Sequence, residues 1–528
     1  MSRVKLELCE QTLKECYGDI VATIGMYLLQ NKTTPLNMIV QRTKMDPKQV
    51  RQALCSLIQQ NIVSFYRSTS GFVEYTALPD AVLWRLRYPK YIHCAKTLFG
   101  DAAELLVEEL LLQGRCTLGE AVTKTVKKLN ESLAASGSSV PEISHSLIRD
   151  KASNLVRARL LRRCEDVIKD KDGKVVSMTE IVHPELLFDP PRGHDFAETV
   201  SGSKRSAAQN SEIPLKRIKL ETGDAASTME SEAERGPSYW CVNVHQFHHH
   251  FRDQAIIAAV ARIIDQKASE VMRTMLRLSE TKTIPTDPSS ADLSFTEIYN
   301  AIPKDKIMTR NVVDQYLKCL SQNCCDFVTK AVEALSISEI ETVVLERFGS
   351  KALRMYRVLL AEKQVEQKQV EEKAMLPPKE AKELLYKMFA ENFVTLTELS
   401  KAPDHAPART FYFFNVNLLQ VSRMILEKCY KAAANVMIRR QKCILENKRL
   451  LDKQERVEAI ISSLDAESAA AQKEEIEQMV TPSERKQLKK VEDASKMLET
   501  SELLLDHTIF ILETYISYTL KPLPLSKK

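Results

Sequence analysis

The sequence predicts a mainly α-helical chain with small β wings, built as four tandem winged-helix domains followed by a C-terminal antiparallel coiled-coil hairpin. Three observations carry that prediction. A helical motif with apolar steps of four, three and five recurs along the chain. Strand-favouring residues alternate around a turn after three of its four occurrences. Beyond Leu418, two long helical stretches contain no Gly and a single Pro, Pro482.

Composition sets the frame. At 528 residues the chain exceeds what one hydrophobic core can hold, and about three to five domains are expected. Hydrophobic residues at 44% and charged residues at 27% suit a soluble globular protein. With only 13 Gly, glycine-rich phosphate loops are disfavoured. Lys+Arg 75 against Asp+Glu 70 nets +5, so any nucleic-acid binding must come from local patches. The twelve Cys form no C-x-x-C pair and sit in apolar helical patterns, which fits a reducing compartment. The opening "MSRVKLELCEQTLKEC" is charged and amphipathic rather than signal-like. No apolar run approaches the roughly 18–20 residues of a membrane span. A soluble intracellular protein is expected.

The first winged helix is placed at residues 1–79. Pro35–Lys44 is a short amphipathic stretch, after which Val50, Leu54 and Leu57 keep one helix face apolar and Ile62-Val63 begin an extended run. "IVSFYRSTSGFVEYTAL" then alternates around Ser-Gly as a hairpin. The second domain, residues 80–191, repeats the outline with Thr117–Leu129, then Ile148, Ala152, Leu155 and Leu160-Leu161. Its wing is "EDVIKDKDGKVVSMTEIV", turning at Asp172-Gly173. From Arg192 to Pro237 aromatics become scarce and Ser, Gly, Glu and Ala prevail. That stretch buries too little apolar surface to offset ordering entropy, which predicts a disordered linker over 192–237.

The third domain, residues 238–335, opens on the strand-like "YWCVNV" and uses Ser294–Ile302 with Val313, Leu317 and Leu320. Phe327-Val328 arrive two residues late and leave no room for a return strand, so this wing is expected to be shortened. The fourth, residues 336–416, uses Val365–Ala374, then Ala381, Leu385, Met388 and Phe393-Val394, with two strands around a Pro-rich loop. Residues 417–528 form the hairpin. Leu450, Val457, Ile460, Ile461 and Leu464 mark one seam; Leu503, Leu504, Ile509, Ile511, Leu512, Ile516 and Leu520 mark the other. Such arms reach roughly 60–70 Å at 1.5 Å per residue.

The strongest basic patch lies on and beyond the second recognition-type helix: Arg149, Lys151, Arg157, Arg159, Arg162 and Arg163. These side chains could neutralise phosphates without reading sequence. They could equally be a polar helix face whose Arg stems cover apolar neighbours. Lys44, Lys48 and Arg51 give the first domain a weaker version, while the third and fourth helices mix charge signs and resemble protein-contacting surfaces. No Asn or Gln set suggests base-specific readout. Within the linker, Lys204-Arg205 and Lys216-Arg217-Ile218-Lys219 are spaced as a bipartite nuclear import signal.

"VHQFHHHFRDQ" places His245, His248 and His249 on one potential helix face, a geometry able to hold two metal ligands. No second Cys or carboxylate is spaced to complete a site around Cys241, and Phe247 with Phe251 suit an amphipathic helix entrance. No metal and no cofactor are expected. The sequence holds no G-x-x-x-x-G-K-[ST], G-x-G-x-x-G, H-E-x-x-H or G-x-S-x-G motif, which argues against an independent enzyme.

Several long segments then match one family in order: "LRYPKYIHCAKTLFGDAAELLVEELLLQGR", "FHHHFRDQAI", "EQKQVEEKAMLPPKEAKELLYKM", "PDHAPARTFYFF" and "ENKRLLDKQERVEAII". From about Val4 to Tyr518 the chain resembles the third subunit of DNA-directed RNA polymerase III, a family related in layout to the large subunit of transcription factor E. The resemblance implies four extended winged helices, a C-terminal coiled coil and a non-catalytic role in the nucleus. It implies a heterotrimer with two other polymerase III subunits on the clamp side of the enzyme. There, family members help open promoter DNA and contact the initiation factor that carries the TATA-binding protein and its Brf partner. It also implies a link to the sensing of cytosolic DNA and innate immunity. Its "F-H-x-H-F-R-D" run ties Phe247, His248, His250, Phe251, Arg252 and Asp253 to packing or subunit contact. The departure is the Gly-rich third wing, most of which this chain lacks. A different class, a scaffold subunit of a proteasome-lid-like assembly, would carry one winged helix after a helical solenoid rather than four repeats.

Overall fold

The computed structural model describes residues 2–68, 71–135, 144–164, 167–169, 175–178, 187–191, 193–196, 238–282, 290–303, 308–322, 330–400, 410–463 and 480–520. It divides into two compact units, Thr12–Phe247 and Met1–Gln11 with His248–Lys528.

The first of these begins within α1 (Arg3–Gln30), whose helical path is interrupted at Gly18, φ 81°. β1 (Thr34–Pro35), α2 (Leu36–Thr43) and α3 (Pro47–Gln59) lead into the hairpin β2 (Val63–Arg67) and β3 (Val73–Ala77). Pro47 suits the first turn of α3, where its missing N–H costs nothing. Val50, Ala53, Leu54 and Leu57 turn the helix's apolar face inward. The sheet order is β1-β3-β2, with Tyr75 of β3 facing Thr34 on one side and Phe65 on the other.

α4 (Pro79–Leu83), a 3-10 turn at Trp84–Arg87, α5 (Tyr88–Phe99) and α6 (Asp101–Gln113) lead to the second winged helix. Gly114 closes α6 at φ +76°, and a Cβ there would lie 2.3 Å from the Gln59 carbonyl oxygen, so the close approach to the end of α3 requires glycine. β4 (Cys116–Thr117), α7 (Leu118–Ala135), α8 (His145–Arg157) and β5 (Leu161–Arg163) follow the first domain's plan. β6 (Val167–Lys169) and β7 (Val175–Met178) form a separate two-stranded ladder. The expected turn at Asp172-Gly173 lies outside the described residues.

Two boundaries need correction. Residues 238–242, expected to open the third domain, supply β8 (Tyr239–Val242), which completes the second sheet in the order β4-β8-β5. Asn243 fastens its end, its N–H donating to the Leu160 carbonyl and its side-chain amide to the Arg159 carbonyl, each at 2.8 Å. The disordered linker expected over 192–237 does not hold for Gly193–Phe196, a 3-10 turn in which Asp195 and Phe196 are buried. Residues 197–237 lie outside the described residues.

In the other unit, α9 (Val244–Ile263) enters at His248, and α10 (Gln266–Lys282), α11 (Phe295–Ala301) and α12 (Arg310–Gln322) follow. Ser294 and Glu297 form a capping box at the start of α11. Val271, Ile298 and Val313 bury one another between α10, α11 and α12. Between Val244 and Lys330 no strand occurs among the described residues; Phe327 and Val328 fall outside them. α13 (Ala331–Phe348), α14 (Ser350–Glu362), α15 (Gln367–Ala374), α16 (Pro378–Ala390), β9 (Thr395–Ser400) and β10 (Thr410–Asn415) make the fourth winged helix. Val365 pairs with Phe414, so the first domain's strand order returns as Val365–β10–β9.

α17 (Leu418–Glu446), α18 (Lys448–Ser463) and α19 (Pro482–Leu520) form an antiparallel hairpin. Its register is fixed by Tyr430 to Glu513 at 2.6 Å, Arg440 to Glu502 at 3.1 Å and Lys453 to Glu484 at 2.8 Å. The seam keeps Val457, Ile509, Ile511 and Leu512 of the expected one and departs from it elsewhere, while Leu464 lies outside the described residues. Val421, Ile425, Tyr430, Ala433 and Met437 face inward with Ile509, Ile511 and Leu512, whereas Ile460, Leu504 and Leu520 are exposed. Asn447, at φ −107°, breaks the first arm between α17 and α18.

A Schellman cap recurs after the recognition helices. Asn61, Arg159 and Asn392 adopt the left-handed conformation two residues past α3, α8 and α16. The following N–H then reaches back five residues: Ile62 to Leu57, Leu160 to Leu155 and Phe393 to Met388 at 2.9–3.0 Å. This cap turns each chain sharply into its strand, which explains the apolar pair at that position in sequence.

Candidate nucleic-acid interface

The recognition helices acquire different surfaces from one plan. On α3, the inward face leaves Lys48, Arg51, Gln52 and Cys55 exposed along one stripe at i, i+3, i+4 and i+7. Lys44 stands in the turn between α2 and α3, where it takes the left-handed conformation at φ 55° and is exposed. Gln52 was missed by sequence reading, since only the helix's orientation separates it from other polar positions. Beside the stripe, Leu36, Leu54, Ile58 and Tyr75 line a groove that Arg51 borders. Burial pushes the Tyr75 hydroxyl's pKa up, with Arg51 pulling it the other way.

On α8, Ile148, Ala152, Leu155 and Val156 are buried, and the basic residues separate in consequence. Lys151 donates to the Phe99 carbonyl at 2.9 Å, occupying an orphan acceptor at the C-terminus of α5. The Arg149 guanidinium lies 5.4 Å from the Phe196 ring and that of Arg159 lies 5.7 Å from Phe188. Arg163 sits 3.5 Å from the buried Asp195 carboxylate and 5.3 Å from the Trp240 ring. Arg162 is half-buried opposite Cys241 in the β5–β8 ladder. There a hydrogen bond from the Cys164 thiol, followed by Arg162 and Arg115, pulls the Cys241 thiol's pKa below the usual thiol range against its burial. Arg157 is exposed at the helix end, and among the described residues it makes no such contact. The patch that looks continuous in sequence is therefore shared between the surface and the domain interior.

α12 pairs Lys318 with Asp314 at 2.7 Å, and Arg310 covers Phe295 at 5.3 Å. α16 exposes Lys379, Lys382, Tyr386 and Phe389 along one stripe. Lys204, Arg205, Lys216, Arg217 and Lys219, the import-signal candidates, lie outside the described residues.

The histidines turn to aromatic neighbours. His245 stands edge-on to Trp84 at 5.4 Å, His248 lies 5.3 Å from Phe510, and Phe247 is buried against Tyr91 at 5.2 Å. Arg252 pairs with Asp253 at 2.7 Å and donates to the Tyr518 hydroxyl at 3.0 Å. Among the described residues, no group of three or more His, Cys, Asp or Glu is arranged to hold a metal ion, and no helix is long and apolar enough to cross a membrane.

Comparison with known families adds four matches along the chain. The helix-turn-helix domain of RNA polymerase III subunit RPC82 matches residues 7–68, and RNA polymerase III subunit RPC82 matches 151–334. The C-terminal winged-helix domain of POLR3C matches 340–416, and the helical hairpin domain of DNA-directed RNA polymerase III subunit RPC3 matches 449–511. Among individual proteins, DNA-directed RNA polymerase III subunit RPC3 of Homo sapiens is 39% identical over 545 residues, covering 99% of this chain and 100% of that protein. The Mus musculus protein of the same name is 39% identical with the same coverage, and that of Danio rerio is 37% identical over 98% of this chain and 99% of its own.

Proposed function

The chain belongs to the RPC3 family of DNA-directed RNA polymerase III subunits, and from that membership we propose that it engages promoter DNA as part of an initiation subcomplex. It is an accessory subunit rather than part of the catalytic core. In this reading it joins two partner subunits near the polymerase clamp, aids opening of the duplex, contacts the initiation factor that carries the TATA-binding protein, and works in the nucleus.

The observation that supports this reading best is the α3 stripe. Lys48 and Arg51 offer two cations to phosphates, with Gln52 beside them on the same stripe able to donate and accept at a base edge. Arg157 on α8 adds a further exposed cation. The hairpin supplies the protein-binding element: α19, with 39 residues, extends roughly 58 Å at 1.5 Å per residue.

Two measurements test the reading. Lys48→Glu with Arg51→Glu should weaken DNA binding by the full chain and flatten its salt dependence by about two units of log–log slope. An unchanged slope would remove α3 from the DNA-binding face. Affinity purification at moderate salt should recover the polymerase III core and its two partner subunits; recovery of proteasome-lid subunits alone would overturn the proposal.

A further inference from the structure

Three arginines of the α8 patch find their partners in a single short segment. Phe196 lies beneath Arg149 at 5.4 Å, Phe188 faces Arg159 at 5.7 Å, and Asp195 meets Arg163 at 3.5 Å. All three belong to residues 187–196, which follow the β6–β7 ladder in the chain and precede the segment that returns as β8. Phe196 and Asp195 are buried, so the segment is docked at that end; Phe188 is half-buried, and Arg149 and Arg159 are exposed.

The chemistry of the segment is what a nucleic acid would present to the same side chains. A carboxylate stands where a phosphate would pair with a guanidinium, and aromatic rings stand where bases would stack on one. We propose that residues 187–191 and 193–196 are a strap that mimics nucleic acid and competes with DNA for Arg149, Arg159 and Arg163 until it is displaced. The inference rests on the reading of the winged helices as DNA-engaging surfaces. Arg157 lies outside the strap and provides the patch's basal contact. The two ends of the strap differ in what release requires. Phe188 can lift from Arg159 without opening the core, whereas freeing Arg163 requires withdrawing Asp195 from a fully buried position.

Binding of the full-length chain to a short random-sequence DNA duplex, measured by fluorescence anisotropy across a salt series, tests this directly. Phe188→Leu changes no charge and should steepen the log–log salt slope by about one unit through release of Arg159. Adding Phe196→Leu and Asp195→Asn should steepen it by up to about three units and tighten binding at low salt about tenfold or more. Restoring the parental slope by Arg149→Ala, Arg159→Ala and Arg163→Ala together in the opened background would tie the gain to those side chains. Should the triple variant unfold, Phe188→Leu still decides: an unchanged slope in that folded variant overturns the strap. Arg157→Glu in the parental chain separates the two readings. If it weakens binding while the strap variants leave the slope unchanged, only the strap fails. If it leaves binding unchanged, and the strap variants do too, the DNA-binding reading of α8 fails with it.

Discussion

The first and second winged helices have the same sheet order and reach it by different routes. In the first, β3 returns directly from the hairpin to lie between β1 and β2. In the second, the hairpin strands β6 and β7 pair with each other, and the central place is taken by β8, from residues 239–242. Tyr75 and Trp240 occupy matching positions, each flanked by one residue of the short strand and one of the strand after the recognition helix: Thr34 and Phe65 for Tyr75, Cys116 and Arg163 for Trp240. The position between two strands is a requirement of the fold, while the chain segment that fills it is free to vary. A strand that arrives late must then bring its own anchoring. Trp240 is fully buried and Asn243 fastens the end, whereas Tyr75 is only half-buried.

The largest effect should come from removing that anchor. Trp240→Ala is expected to destabilise the second domain by about 3–5 kcal/mol, the usual cost of truncating a large buried aromatic. Tyr75→Ala should cost less, about 1–2 kcal/mol, because part of its ring is already in water. Urea unfolding with hydrogen exchange read separately for each domain measures both. Equal losses at the two positions would show that β8 carries no special share of the second sheet.

A second difference is loop closure. β2 and β3 are joined by a few residues, but β8 is separated from the docked turn at Gly193–Phe196 by residues 197–238. Deleting residues 201–232 should stabilise the second domain by about 1 kcal/mol, since closure cost rises only logarithmically with loop length. The first domain should not change, and a thermal melt followed by domain-resolved exchange would detect the contrast. Loss of stability would instead show that the deleted stretch contacts the domain.

These contrasts also mark what could be read from sequence. The helix pairs and the apolar pair after each recognition helix were legible because one face of each helix is buried and the Schellman cap demands a sharp turn into a buried strand. The fourth domain's strands were legible for the same reason: β9 and β10 are local neighbours around one loop. β8 was not, because alternation in "YWCVNV" states only that a strand exists and says nothing of which sheet receives it. The linker start failed similarly: low aromatic content hid Asp195 and Phe196, whose contacts with Arg163 and Arg149 are distant in sequence. The α8 patch was legible as a count of charges but not as a surface, since rings and carboxylates distant in sequence decide which arginines face water. The missed exposure of Ile460 and Leu504 follows from the break at Asn447 and from the packing of α19, neither of which periodicity in one arm can reveal.

The smallest expected effect isolates the feature the domains share. The Schellman position holds Asn61 in the first domain and Asn392 in the fourth, but Arg159 in the second. Asn tolerates positive φ because its short polar side chain can hydrogen-bond locally, whereas Arg meets the ordinary Cβ penalty. Arg159→Asn should therefore stabilise the second domain by about 0.5–1 kcal/mol, less whatever the contact with Phe188 contributes. The reciprocal Asn392→Arg should destabilise the fourth domain by a similar amount. Asn61 is a poorer site for this swap because its side chain also accepts a hydrogen bond from Arg115. Comparing the two changes by urea midpoint at constant m-value separates backbone strain from side-chain contact. If Arg159→Asn destabilises, the contact with Phe188 outweighs the strain. An arginine at a strained cap would then be held there by its partner, and the second domain would depend on residues 187–196 as it depends on β8.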